Sequence, residues 1–161
     1  MRKTPLARGT KQLARTGFKR KKSPSKRVKK KKAPSLRLLK NKLWAECKRI
    51  VRLRYQQPHN TWRCYTCDNH LDAPVKAQTG HFIPSSVCST EIRYDLDNLR
   101  VQCYRCNINL SGNWIEYEKR LNKEKGKDFT KQLKERNEST KNQMYRADWY
   151  TNKIEEYKQI L

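Results

Sequence analysis

The chain contains the stretch Cys64-Tyr-Thr-Cys67 and, further along, the stretch Cys103-Tyr-Arg-Cys106-Asn107. In each stretch the cysteine spacing bends the backbone into a knuckle that turns both thiols toward one ion. Four thiolates complete a tetrahedral shell, so the sequence predicts one structural zinc ion without an open coordination position. The alternative is a pair of disulfide bonds, which the lack of a secretion signal disfavours. The predicted zinc ligands are Cys64, Cys67, Cys103 and Cys106.

The composition limits both the core and the classes of partner. Only 35% of the 161 residues are hydrophobic and 34% are charged, so a bound metal is an expected source of stability. The net charge of +24 favours a polyanionic partner, nucleic acid ahead of a membrane surface. No apolar run approaches the roughly 20 residues of a membrane-spanning helix, and we therefore expect no membrane partner.

The excess positive charge is concentrated at the N-terminus. Residues 1–40 contain 17 lysines and arginines and no acidic residue. Self-repulsion and few apolar side chains predict a disordered basic arm over residues 1–34. We expect this arm to follow DNA phosphates, with release of their counterions. The alternatives are a solubilising tail and a localisation signal.

Helical patterns flank the cysteine region. Residues 35–57 are predicted to form a helix that begins at the cap residue Ser35 and packs on the zinc-containing domain, residues 58–125. Residues 126–161 are predicted to form a C-terminal helical segment, whose last helix either packs on the first helix or pairs two chains in a homodimer. The predicted buried face of the first helix comprises Leu36, Leu39, Leu43, Cys47 and Ile50, widened by Trp44 and Val51. The other predicted packing faces are Trp114, Tyr117 and Leu121, and Ala147, Tyr150, Ile154, Tyr157 and Leu161.

Three polar residues between and after the cysteine pairs are candidates for catalysis. Hydrolysis of a phosphodiester needs a base for the attacking water and a divalent cation. His81 ends a short predicted strand, and a neutral imidazole is a suitable base near pH 7. Asn98 lies in the turn before the next strand, where its amide can pin the two strands together. Asn107 follows the last cysteine, and its amide oxygen can bind Mg²⁺ or Mn²⁺.

Arginines flank these candidates and are expected to hold DNA phosphates. They are Arg93, Arg100 and Arg105. The remaining potential ligands are predicted to be structural or exposed: Cys47 as a small buried side chain, Cys88 as a loop thiol, and His59 and His70 at the surface.

The chain resembles the NinG family of lambdoid phages, also called Rap. The resemblance covers about residues 40–117 and is carried by G-H-F-I-P at 80–84, D-x-x-N-L at 95–99 and C-x-x-C-N-x-x-L-S-G-N at 103–113. It implies an α+β fold in which a small ββα-metal module with a zinc ion on four cysteines, similar to HNH (His-Me finger) and treble-clef domains, lies between helices. It also implies a structure-specific endonuclease of phage recombination, which cuts branched DNA such as D-loops and Holliday junctions in the cytoplasm of the bacterial host cell.

By this resemblance His81 is the general base, Asn98 the residue that pins the ribbon, and Asn107 a ligand of the catalytic ion. Many HNH sites carry Asp or His directly before the base as a second metal ligand, whereas this chain has Gly80. Either another side chain completes the ion's shell, or His81 is itself a ligand, or the site is weak. The candidates for the missing ligand are Asp95, Asp97, Glu91 and Asn109.

The competing interpretation is a non-catalytic zinc protein that binds nucleic acid. The basic arm, the net charge and the predicted zinc fit this interpretation equally well, and His81 is then a structural residue. A sequence-specific transcription regulator is a weaker alternative, since no recognition helix is evident. Only His81, Asn98, Asn107 and the family resemblance favour an enzyme that acts on branched or duplex DNA.

Overall fold

The computed structural model describes residues 33–160, which combine helices with two small antiparallel sheets. The predicted α+β class is therefore confirmed, whereas the basic arm lies almost wholly outside the described residues. The helices are α1 (Leu36–Arg54), α2 (Thr90–Tyr94), α3 (Trp114–Lys125), α4 (Phe129–Thr140) and α5 (Ala147–Lys158). The strands are β1 (Trp62–Arg63), β2 (His70–Leu71), β3 (Gln78–His81) and β4 (Leu99–Gln102). Short turns of other helix types span Pro58–Asn60, Leu96–Asn98 and Arg105–Asn109.

Helix α1 forms where the apolar spacing predicts it. The Ser35 hydroxyl accepts a hydrogen bond from the Leu38 amide at 3.3 Å and caps the first turn, as predicted. The predicted face is buried apart from Trp44, which is half-buried, and Leu36, which is 41% exposed. Prediction of a buried Leu36 was wrong because this residue lies in the first turn, at the edge of the packed surface.

Helix α5 packs along α1 and closes the main apolar cluster. Tyr150, Ile154 and Tyr157 are buried there, and the Tyr157 hydroxyl donates to the Tyr94 carbonyl at 2.8 Å. The predicted packing of the last helix on the first is thus confirmed, although Ala147, the first residue of α5, is exposed and Leu161 lies outside the described residues. Because the same face is covered by α1, it is not available to pair two chains, and a homodimer through another surface stays a prediction.

The two-stranded ribbon β3–β4 lies at the centre of the described chain. The strands pair antiparallel, with Gly80 opposite Arg100 and His81 opposite Leu99. Helix α1 contacts both strands, and the hydroxyl of Tyr117 in α3 reaches the Gly80 carbonyl at 3.3 Å. The ribbon is thus held by its contacts with α1 and by a hydrogen bond from α3, the helix that follows the second cysteine pair.

Helix α3 does not bury all of its predicted face. Tyr117 and Leu121 are fully buried, but Trp114 is 57% exposed. Prediction of a packed Trp114 was wrong, because α3 begins at this residue and only its later turns lie over the ribbon. None of the helices between residues 33 and 160 has the length and apolar character that a bilayer crossing requires.

Candidate functional site

The four predicted cysteines come together in one cluster. Their sulfur atoms lie within 4.8 Å of one another, and the sulfurs of Cys67 and Cys103 are 3.8 Å apart. A tetrahedral zinc ion with Zn–S bonds of about 2.3 Å separates its sulfurs by about 3.8 Å. The cysteines form no disulfide bond. The donor set and its spacing therefore fit a metal ion such as zinc, and the disulfide alternative is wrong.

Hydrogen bonds at Cys64 favour the ionised form that binds metal, whereas burial raises the pKa of the Cys67 and Cys103 thiols. The Thr66 hydroxyl lies 3.5 Å from the Cys64 sulfur, and the Cys106 amide donates to the Cys103 sulfur at 3.4 Å. Burial disfavours the Cys64 thiolate, but hydrogen bonds from the Cys103 backbone and Thr66 outweigh it and lower the pKa of this thiol to about 7. A thiolate is thus available near neutral pH.

The other cysteines and histidines predicted to be structural or exposed lie outside the cluster. Cys47 is fully buried, and burial raises the pKa of its thiol to about 12, so it is a neutral side chain of the core. Cys88 is half-buried in the turn before α2, and His59 and His70 are exposed. Among residues 33–160, the four-cysteine cluster is the one group of three or more His, Cys, Asp or Glu side chains that converge as metal ligands do.

His81 ends β3, as predicted, and its ring is held from two sides. It stacks on the Trp44 ring with 5.1 Å between centroids and an interplanar angle of 15°. Its Nε2 lies 3.1 Å from the Arg93 carbonyl oxygen, which can only accept, so the neutral ring donates its proton from Nε2 and leaves Nδ1 unprotonated. Burial lowers the pKa of His81 to about 4, and the imidazole is therefore neutral at pH 7.

Asn98 lies behind the ribbon and is fully buried. Its Oδ1 accepts from the Ile83 amide at 2.7 Å, and its Nδ2 donates to the carbonyls of Ile83 and Ile92 at 3.2 and 3.1 Å. The Asn98 side chain thus connects Ile83, two residues after His81, to Ile92 in the helix α2. These contacts are of the kind expected from a residue that pins the ribbon.

Asn107 reaches the same cavity as His81. It lies in the turn Arg105–Asn109, where its Nδ2 donates to the Gln78 Oε1 at 2.8 Å. That bond leaves the amide oxygen Oδ1 as the free coordinating atom. A cavity of about 610 Å³ is lined by Trp44, Thr79, His81, Pro84, Ser85, Ser86, Arg93, Asn107, Ile108, Ser111 and Gly112.

The position before His81 has no space for a side chain. A Cβ atom at Gly80 would lie 1.9 Å from the Gln102 Oε1 and 3.1 Å from the Asn107 Oδ1. Gln102 is itself fully buried, and its Nε2 donates to Thr66 and to the Gly112 carbonyl at 3.1 and 2.7 Å. The Gln102 amide therefore fills the space in which a second ligand would otherwise be placed.

The four candidates for the missing ligand are not part of the cavity wall. Asp95 pairs with Arg136, Asp97 pairs with Lys125 at 3.0 Å, and Glu91 accepts from the Tyr145 hydroxyl at 2.9 Å. Asn109 is exposed and also lies outside the lining.

The three predicted phosphate-binding arginines have different surroundings. Arg93 is exposed and lines the cavity, and Arg105 is exposed in the turn that carries Asn107. Arg100 is only 2% exposed and pairs with Glu124 at 2.9 Å, so the prediction that it holds a phosphate does not fit its position. Sequence charge alone did not distinguish this buried ion pair from a free cation.

Two residues at the site were not predicted to have a role there. Trp44 was assigned only to the packed face of α1, yet its ring supports His81. Gln102 was not singled out at all, although it lies on β4 opposite Gln78. Strand alternation was the available signal, since it places the side chains of residues 78 and 102 on the same face of the ribbon as Gly80.

Comparison with known proteins identifies a family. A family model described as the bacteriophage lambda NinG protein matches residues 1–161, the full length of the chain. No curated protein and no solved structure matches the chain. The match extends well beyond the motifs around the cysteines, and the chain belongs to the NinG family of bacteriophage lambda.

Proposed function

We propose that this protein is a metal-dependent endonuclease that hydrolyses phosphodiester bonds in branched DNA, such as D-loops and Holliday junctions. The observation that carries the proposal is the cavity whose wall contains both the neutral imidazole of His81 and the amide of Asn107. A base and a ligand for a hard cation at one cavity are the two requirements of phosphodiester hydrolysis. Membership of the NinG family supports the same class of substrate.

His81 accepts the proton of the attacking water in this mechanism. Its Nε2–H remains bonded to the Arg93 carbonyl, so Nδ1 is the atom that takes the proton. The water oxygen forms a bond to phosphorus while the bond from phosphorus to the 3′ oxygen breaks. The leaving oxygen takes a proton from solvent, and His81 returns its proton to solvent before the next cycle.

Asn107 is the residue that would hold Mg²⁺ or Mn²⁺. Its Nδ2 is engaged by Gln78, which orients the amide so that Oδ1 is left for an ion. A divalent cation supplies neutralisation of charge on the phosphate and on the leaving oxygen. Magnesium sites commonly use one or two protein ligands together with substrate phosphate and water, so the absence of a side chain at Gly80 is compatible with the proposal.

Asn98 and the cysteine cluster have positioning roles in this scheme. Asn98 fixes Ile83, two residues after His81, through both its backbone amide and its carbonyl. A metal ion held by four thiolates has no position for water or substrate, and zinc in the cluster would be structural. Phosphate contacts are assigned to two exposed arginines, Arg93 in the cavity wall and Arg105 in the turn that carries Asn107.

The test is cleavage of a labelled synthetic four-way junction and of a linear duplex, with Mg²⁺, with Mn²⁺ and without added ion. We expect metal-dependent cutting near the branch, and a loss of at least about a hundredfold in rate for His81→Ala. Zinc content and junction affinity of this variant should be unchanged. His70→Ala is the matched control, because His70 is exposed and lies outside the cavity.

Two outcomes would count against the proposal. Persistent cutting by His81→Ala would remove His81 from the chemistry. Tight binding of the junction by the wild-type protein without cutting under any metal would favour the non-catalytic zinc protein, which the net charge of +24 supports equally.

A further inference from the structure

A second cavity adjoins the candidate site. It has a volume of about 490 Å³ and lies between α1 and α2, lined in part by Arg37, Lys40, Asn41 and Thr90. Trp44 and Arg93 line both this cavity and the one that contains His81. The two cavities are therefore neighbours that share these side chains, and we call the two together the Trp44 groove.

The Trp44 groove is cationic. Arg37, Lys40 and Arg93 line it and are exposed, and none of the three forms a salt bridge with another residue between 33 and 160. No acidic side chain lines either cavity. The described residues nevertheless include all 15 acidic residues of the chain, so this lining is selectively free of negative charge. A polyanion is the ligand that such a surface favours.

The shape and the chemistry of the groove suit an unpaired strand better than a duplex. The cavity between α1 and α2, of about 490 Å³, lies in the size range of small-molecule sites, roughly 300–1,000 Å³. A space of this size admits a base but not a double helix. Trp44 is half-buried between the two cavities, and Asn41 and Thr90 offer polar groups for the edge of a base. Proteins that bind single strands combine a cationic groove with aromatic side chains in this way.

We propose that the Trp44 groove binds an unpaired DNA strand, with one base in the cavity between α1 and α2 and an adjoining phosphate between Arg93 and His81. The inference rests on the proposed function and specifies its substrate. Extruding a base costs least where DNA is already unpaired, as beside a branch point. The groove would therefore make an interrupted duplex a better substrate than a continuous one.

The experiment measures binding without cleavage. Fluorescence anisotropy of the full-length protein, with no added divalent ion, compares a single strand, a duplex and a forked duplex of equal length over a range of salt concentrations. The groove variant is Arg37→Ala with Lys40→Ala. The matched control is Lys127→Ala with Lys131→Ala, which removes the same charge from exposed residues that line neither cavity.

We expect the groove variant to reduce the salt slope for the single strand by about 1.4, since each phosphate contact with a single strand contributes about 0.7. Its preference for the single and forked strands over the duplex should fall, and the control variant should keep both the slope and the preference. A 2-aminopurine base placed in the single-stranded part of the fork should change its emission on binding wild-type protein and less on binding the groove variant.

The inference is overturned if wild-type protein binds duplex as tightly as single strand and fork, or if the control variant loses as much as the groove variant. Cleavage separates this inference from the proposed function. If the groove variant loses single-strand binding while no protein cuts DNA, the groove stands and the endonuclease does not. If the groove variant cuts forked duplex with an unchanged preference over linear duplex, the endonuclease stands and the groove does not.

Discussion

Replacement of Gly80 by alanine should show that the space before His81 is already filled. Its Cβ would lie 1.9 Å from the Gln102 Oε1, far inside contact distance, so the Gln102 side chain must move. The φ angle of Gly80 is not positive, so the backbone tolerates an alanine and the expected loss of stability comes from the steric clash alone. Because Gln102 is fully buried, it has no exposed region into which to move.

The expected cost follows from the contacts that Gln102 would lose. Its Nε2 donates to the Thr66 hydroxyl and the Gly112 carbonyl, at 3.1 and 2.7 Å. A buried polar group left without its partner costs about 1–3 kcal/mol, and an overpacked interior costs a similar amount. We expect Gly80→Ala to lower the free energy of unfolding by about 2–4 kcal/mol.

Urea denaturation with zinc in excess measures this cost, because a constant zinc concentration keeps the metal's contribution fixed. With a slope of about 2 kcal/mol per molar urea, the midpoint should fall by about 1–2 M. The control is the double-mutant cycle with Gln102→Ala, which removes the clashing amide. The double variant should be about as stable as Gln102→Ala alone, so that the coupling energy equals the cost of Gly80→Ala, about 2–4 kcal/mol. Additive effects within about 0.5 kcal/mol would refute the reasoning.

Three further predictions concern Arg100, His81 and the start of α3. Arg100→Ala should lower the free energy of unfolding by about 3 kcal/mol in denaturation experiments, because it removes a buried cation from Glu124 and from backbone carbonyls. The junction affinity of the folded variant should be unchanged. The folded pKa of His81, about 4 because of burial, lies below its ordinary value of 6.5, so the unfolded chain takes up a proton first. Stability should therefore fall as the pH drops from 6.5 to 4, by at most about 3 kcal/mol, and thermal denaturation should show a smaller fall in His81→Gln. Trp114→Ser with Ile115→Ser should change stability by less than about 0.5 kcal/mol on denaturation, since both side chains are more than half exposed.

Local patterns in the sequence carried most of the correct predictions. The cysteine cluster follows from spacing within each pair, and the helix α1 follows from apolar residues three and four apart, capped by Ser35. Asn98 lies in the turn before β4, as predicted, and makes three hydrogen bonds to Ile83 and Ile92, whereas its role in catalysis stays a prediction. Each of these features depends on neighbours that are close in sequence or on a repeated motif.

The errors arose where a distant partner decides a residue's role. In the sequence Arg100 cannot be distinguished from a free cation, because its partner Glu124 lies in α3, far along the chain from β4. The sequence shows that Gly80 carries no ligand, but it does not show that the Gln102 side chain occupies the adjacent space. Trp114 has an apolar side chain at helical spacing, yet the start of α3 extends past the surface on which its later turns pack. None of these pairings leaves a periodic signal in the sequence.

The contacts of Gln102 also explain why a structural metal would matter to chemistry that it does not perform. Thr66 immediately precedes the ligand Cys67, and Asn107 immediately follows the ligand Cys106. Gln102 bonds to Thr66 and to Gly112, whose carbonyl belongs to the turn after Asn107. A metal ion that joins the two cysteine pairs would thus fix both attachments of Gln102, and with them the distance between the Asn107 amide and the strand that ends at His81. Loss of the metal would therefore be expected to disturb the position of Asn107 relative to His81, both through its neighbour Cys106 and through the Gln102 amide.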